Sequence, residues 1–215
     1  MNGELTLAEK LVAIKDWLGT GSVNIFGLPM SGKDTVGVRL AEALGGKFLS
    51  SGLIIRAMEQ ANRRHLTDGG ELIRTDLFYD WVLPYFDKEE IKDYPLILSS
   101  IGRWSGEEDR VLERAERSGH PIRAAVILNV SEADVEKRWK TVSSSLEASQ
   151  ARGLRADDKK SEVFQKRIDE FRNKTRPVLL RYRSLGLLVE VKADMDKDSV
   201  FIELVNRLFE FSQSA

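Results

Sequence analysis

The run Gly27-Leu28-Pro29-Met30-Ser31-Gly32-Lys33 sets two glycines five positions apart with a lysine directly after the second, and that spacing suits an anionic phosphate. Glycine adopts backbone dihedrals that other residues avoid, so successive N–H groups can turn inward as a nest. The apolar run Val23–Phe26 precedes the loop, and Val36–Leu44 follows it with helical periodicity. A helix starting near Lys33 would aim its positive dipole end at the same point, and Lys33 adds a full charge. A glycine turn with a solvated lysine is the plainer reading, but it does not require a strand before the turn and a helix after it. Asp34 stands where loops of this kind often carry a magnesium-ligating Ser or Thr, and Thr35 comes next. The Asp34 carboxylate is expected either to serve the ion through a water or only to sit favourably at the start of its helix.

Arginines recur downstream at Arg56, Arg103, Arg138, Arg152, Arg155 and Arg167. Their planar, permanently charged groups hold phosphate oxygens bidentately, although arginines on a polar helix usually face solvent. The chemistry open to such a set is phosphoryl transfer, which is mostly positioning and charge neutralisation. It requires no general base when the acceptor is itself an anionic oxygen. The chain has no cysteine, and His65 and His120 are its two histidines, which excludes thiolate nucleophiles and disulfides and disfavours a zinc cage.

The elements that must position these residues follow from periodicity. Leu7, Leu11, Ile14 and Leu18 mark an amphipathic helix over residues 5 to 18, ended by Gly19 and Gly21. Further apolar runs at Tyr94–Leu98, Ala124–Val130 and Leu187–Val191 each follow a longer helix-like stretch. That alternation predicts an α/β domain with a parallel sheet covered by helices on both faces. The polar stretch from Ser143 to Asp158 offers little to bury and reads as a mobile insertion.

Lys and Arg total 33 against 34 Asp and Glu, so the net charge of -1 gives no global pull toward nucleic acid or anionic lipid. The basic stretch Arg167, Arg172, Lys174, Arg176, Arg181, Arg183 is interrupted by acids and lacks an aromatic ladder, so a solvated helix face is expected. Trp104, Trp139 and His65 are expected to be packing or surface residues. No apolar stretch approaches the about 18 residues of a membrane span, and Met1-Asn2-Gly3-Glu4 lacks the basic head of a signal peptide. The expected compartment is the cytoplasm.

The string G-x-P-x-x-G-K-x-T resembles the phosphate loop of adenylate kinases and related nucleoside monophosphate kinases. Other segments are similar in the same order. Leu49-Ser50-Ser51-Gly52 with Arg56 looks like the family's Ser-Thr-Gly-Asp-x-x-x-Arg, with Leu53 in place of the aspartate. Gly70-Glu71-Leu72-Ile73-Arg74 resembles the Gly-x-Leu-Val-Pro segment that lines the acceptor base, with Arg74 in place of proline. Leu96 to Arg103 resembles the strand ending Leu-Leu-Asp-Gly-Phe-Pro-Arg, with Ser99 in place of the aspartate. Leu128-Asn129-Val130, Arg138, Arg155-Ala156-Asp157-Asp158, Lys166-Arg167, Thr175-x-Pro177 and Gly186-x-Leu188 continue the pattern. The resemblance spans roughly residues 23 to 210 and leaves residues 1–22 as a helical extension.

It implies a three-layer αβα P-loop kinase with a helical acceptor-binding insertion near 51–80 and a short, zinc-free lid near 139–157. ATP and Mg²⁺ are the implied cofactors, with Gly27, Pro29, Met30, Ser31, Gly32, Lys33, Asp34, Thr35 and Arg138 holding the donor. Ser51, Gly52, Arg56, Leu72, Ile73, Arg103, Glu107, Arg155 and Arg167 are implied for the acceptor monophosphate. Lys33, Arg103, Arg138, Arg155 and Arg167 would stabilise the transferring group, and Asp34 is the metal candidate. Asp157 and Asp158 could instead cap the following helix or pair with Arg155. Glu107 stands about where adenylate kinases carry a glutamine. Since a carboxylate can only accept, it would suit the paired donors of guanine or the amino group of cytosine. The implied activity is adenylate kinase, ATP + AMP giving two ADP, by a monomer whose partners are nucleotides. Two other readings stay open, a nucleotide-binding protein that has lost catalysis and a P-loop kinase for another small acceptor.

Overall fold

The computed structural model describes residues 5–145 and 159–214. Helix α1, Leu7–Leu18, starts at a capping box in which the Thr6 hydroxyl accepts from the Glu9 N–H and the Glu9 carboxylate accepts from the Thr6 N–H. It ends at Gly19 with φ 55°. Strand β1, Ser22–Gly27, leads through the glycine loop into α2, Lys33–Leu44. Then come β2, Lys47–Ser50; α3, Ser51–Ala61; α4, Thr75–Trp81; β3, Leu96–Ser99; α5, Glu107–Arg117; and β4, Ile122–Asn129. Last are α6, Glu132–Ser143; α7, Ser161–Glu170, running into a π-helical turn, Phe171–Thr175; α8, Arg176–Ser184; β5, Leu188–Lys192; and α9, Lys197–Ser212.

All strand pairs are parallel and their order is β2-β3-β1-β4-β5. Alternation along the strands divides the core between two faces. Val23 and Ile25 of β1 and Ala124 and Val126 of β4 pack with Ile14, Leu18, Leu40, Phe201 and Leu204 from α1, α2 and α9. Phe26 of β1 and Ala125 and Ile127 of β4 pack on the other face with Ile54, Val111, Val178 and Tyr182 from α3, α5 and α8. The expected three-layer α/β architecture is therefore present. Helix α1, read from sequence as an extension, is part of one layer, with Ile14 and Leu18 almost wholly buried.

Element limits shift for identifiable reasons. The run expected from Tyr94 becomes strand only at Leu96, because Pro95 has no N–H to give a ladder. Strand β4 begins two residues before the expected Ala124, since its exposed Arg123 hides the alternation of Ile122 with Ala124. Strand β2 matches no run singled out in the sequence, being short and half-buried.

The segment after β3 is tied to β1 by side chain as well as backbone. The Ser100 N–H donates to the Ile25 carbonyl at 3.0 Å. The buried Asn24 amide donates to the Ile101 carbonyl at 2.8 Å and accepts from the Ile101 N–H at 3.2 Å. Removing it would leave two buried backbone groups unpaired. Asn24→Ala should therefore lower stability by about 2–4 kcal/mol, read as a lower urea midpoint at unchanged slope.

Candidate active site

The glycine loop turns between the C-terminal end of β1 and the N-terminus of α2, with Gly32 as the N-cap at φ 92°, a conformation that favours glycine. Lys33 and Asp34 open the helix. Arg138, expected to reach donor phosphates, braces the outside of this loop: its guanidinium donates to the carbonyls of Ala193 at 2.7 Å, Ser31 at 3.3 Å and Met30 at 3.5 Å. The loop is thereby held against the segment after β5. Thr35 is exposed.

A cleft of about 190 Å³ opens beside the loop at the C-terminal ends of β1, β2 and β3. Of the expected site residues, Gly27, Pro29, Lys33, Asp34, Ser51, Gly52, Arg56, Leu72, Ile73, Arg103, Glu107 and Arg167 line it. Met30, Ser31, Gly32, Thr35 and Arg138 do not. Arg152, Arg155, Asp157, Asp158 and most of the expected lid lie outside the described residues; residues 139–143 complete α6. The structure adds Thr67, Phe78, Ser100 and Trp104 to the wall. Trp104 had one sequence signal, its place next to Arg103. Thr67 had none, being held there by the buried Glu59 carboxylate, which accepts from its N–H at 2.8 Å.

The cleft is cationic. Lys33, Arg56, Arg103 and Arg167 all line it. Desolvation lowers the Lys33 pKa; Asp34 opposes this, while Arg103, Arg167 and Arg56 push it further down. Burial and the charge of Arg167 bring Arg103 down to about 10, with Glu170, Glu107 and Asp34 opposing, so it stays protonated at neutral pH. The buried Ser31 hydroxyl and Arg103 Nε have no protein partner among the described residues, as expected where a ligand is to supply one. The Asp34 carboxylate accepts a short hydrogen bond from the Ser99 hydroxyl. Ser51 Oγ donates to the Ser100 carbonyl at 2.8 Å, fastening the start of α3 to the segment after β3. Leu72, Ile73 and Phe78 add apolar surface to the same wall.

Glu107 is buried, and both its oxygens are engaged. Oε1 accepts from Thr75 Oγ1 at 2.8 Å, and Oε2 from the N–H groups of Arg103 at 2.8 Å and Trp104 at 3.0 Å. It therefore orients the Arg103 backbone whatever else it contacts. His120 is buried with Nδ1 2.7 Å from the Thr20 carbonyl, remote from the cleft, and His65 is exposed beside Asp68.

A parallel sheet whose first strand delivers a glycine loop and lysine to a cationic cleft defines a P-loop kinase, a phosphotransferase that binds nucleotide. Among curated proteins the chain is similar to an adenylate kinase of Mycobacterium tuberculosis, 30% identical over 181 residues, covering 81% of this chain and 93% of that protein. It is also similar to the adenylate kinases of Parasynechococcus marenigrum, 29% identical over 173 residues (78% and 87% covered), and Thermus thermophilus, 26% over 194 residues (87% and 97%). The chain belongs to the adenylate kinase family. A gluconokinase from Sinorhizobium meliloti shares the fold, with a TM-score of 0.57 at 18% identity over 90% of this chain and 94% of that one. No family model matches. Among the described residues, no helix is long and apolar enough to cross a membrane.

Burial raises the Glu107 pKa, against the hydrogen bonds from Trp104, Thr75 and Arg103 and the Arg103 charge. Glu107 thus holds its proton more tightly folded than unfolded, and this contribution to stability is lost as pH rises through the folded pKa. Glu107→Gln removes the titration. The stability of the native chain minus that of the variant, from urea unfolding, should fall as pH rises above the ordinary glutamate value of about 4.3; a rise would contradict the assignment.

Proposed function

We propose that the chain is an ATP-dependent nucleoside monophosphate kinase with AMP as its acceptor. The observation that carries this reading is a single cleft at the glycine loop whose lining combines the cations Lys33, Arg56, Arg103 and Arg167 with the apolar side chains of Leu72, Ile73 and Phe78. A phosphate with a flat heterocycle attached matches both, and the likeness to adenylate kinases supports adenine.

In this reading the donor phosphates lie in the loop from Gly27 to Lys33, and Arg56 and Arg103 hold the acceptor phosphate. One acceptor oxygen attacks the donor's terminal phosphorus as the bond to the bridging oxygen breaks and ADP leaves. Lys33, Arg103 and Arg167, with Arg155 from outside the described residues, neutralise the charge that develops. Arg138 acts through the loop it braces. No side chain has to take a proton, because the attacking oxygen is already anionic.

The residues present fit a magnesium ion carried on ATP. Asp34 offers a hard oxygen donor at the cleft, beside the Ser99 hydroxyl, and among the described residues no cluster of three His, Cys, Asp or Glu forms a protein cage. An ion held mainly by phosphate and water, with Asp34 through a water, matches magnesium's preference. When bound, it supplies charge neutralisation at the donor phosphates.

A coupled assay of ADP formation across AMP, CMP, UMP, GMP and their deoxy forms tests the reading, with the highest kcat/KM expected for AMP. Lys33→Met should lower kcat by about a hundredfold or more, roughly 3 kcal/mol, with little change in unfolding midpoint. Native turnover in the variant would remove Lys33 from the mechanism, and no transfer to any monophosphate would overturn the reading.

A further inference from the structure

The acceptor wall lies flush on the helix that carries Arg167. Gly70, at φ 86°, makes that approach possible: a Cβ there would stand 2.9 Å from the Val163 carbonyl oxygen and 3.3 Å from Arg167 Cγ. Two residues on, the Leu72 N–H donates to Glu170 Oε2 at 3.3 Å. Glu170 is the last residue of α7, only 7% exposed, where the helix widens into the π turn. A carboxylate so buried requires compensation, and Lys174 supplies it from within that turn, its Nζ 2.6 Å from the same oxygen. The ammonium also stands 3.8 Å from the centre of the Trp104 ring, a cation–π contact with a residue of the cleft wall. Sequence reading expects a solvated Lys174 and a packing or surface Trp104. The π turn instead brings both into one contact network, and such turns are frequent at functional sites.

Glu170 and Lys174 are outside the wall of the cleft, yet their contacts reach two parts of it that are far apart in sequence, the Leu72 segment and Trp104. We propose that the Glu170–Lys174 pair is a positioning unit for the acceptor site, clamping the Leu72 wall and Trp104 to α7 so that an acceptor meets a preformed slot. This rests on the reading of the cleft as a monophosphate site. Among the described residues the pair makes no hydrogen bond or ion pair with the glycine loop, so the loss of the Lys174 contact should weaken the acceptor selectively.

The test compares Lys174→Met and Lys174→Arg with the native chain by kinetics against ATP and AMP, and these and Glu170→Gln by deuterium exchange of the peptide carrying the Leu72 amide. Lys174→Met should raise the KM for AMP about tenfold, the scale of one charge-assisted contact, with kcat and the KM for ATP within about twofold. Exchange at Leu72 should quicken by a similar factor. Lys174→Arg keeps charge and ring contact and should restore most of both. If Lys174→Met does not fold, Glu170→Gln is read by exchange at Leu72, which should quicken as for Lys174→Met; its kinetics are not compared, because its carboxylate also bears on Arg103. Unchanged AMP KM and unchanged exchange, or equal losses for ATP and AMP, would overturn the proposal. If the native chain phosphorylates no monophosphate, the functional reading fails, and exchange at Leu72 alone then decides whether the clamp exists.

Discussion

Lys33, Arg56, Arg103 and Arg167 share one cleft, and the charges of the other three all make a proton on Lys33 harder to keep. Like charges brought together in a partly desolvated space repel, and the folded chain holds them there with Asp34 as the carboxylate nearest the lysine in effect. Such a cluster is stable only if the scaffold around it is rigid. Among the described residues, the Arg103 Nε and the Ser31 hydroxyl have no hydrogen-bond partner. The site thus holds its cations in place before a phosphate binds, as electrostatic preorganisation requires.

The rigidity comes from the sheet. Strand β1 lies between β3 and β4, with its residues buried on both faces, so the glycine loop at its end leaves from the most constrained point of the fold. Secondary fastenings carry that order outward: Asn24 to Ile101, Ser51 to Ser100, Arg138 to the outer carbonyls of the loop, and Glu107 to the Arg103 amide. Each uses a side chain to satisfy backbone groups of a neighbouring segment, so a cationic residue is placed by several elements at once. Function therefore depends on residues that never meet a phosphate.

Much of this was legible in the sequence because it is local. Apolar Val23–Phe26, the glycine spacing and the periodicity of Val36–Leu44 lie within about one supersecondary unit, where sequence order and spatial order coincide. The order of the later segments then brought Arg56, Arg103, Arg167, Leu72 and Ile73 to the expected cleft. What sequence hid is non-local. Arg138 looks the same in sequence whether or not it also holds the loop, and only the meeting of the loop with Ala193 shows its hydrogen bonds to the carbonyls of Ser31 and Ala193. Lys174 reads as one more cation on a polar face until the π turn aims it at Trp104. Strand β2 escaped because four residues, three of them half-buried, carry too little periodicity.

The electrostatic premise is open to direct measurement by an NMR titration of the labelled Lys33 side chain, free and with tripolyphosphate. Desolvated and crowded by the arginines, with Asp34 opposing, Lys33 should titrate below the about 10.4 of an unperturbed lysine, and its pKa should rise when polyphosphate binds. A Lys33 that titrates at the unperturbed value and does not respond to polyphosphate would contradict the premise that this cleft holds Lys33 desolvated among cations that a phosphate neutralises.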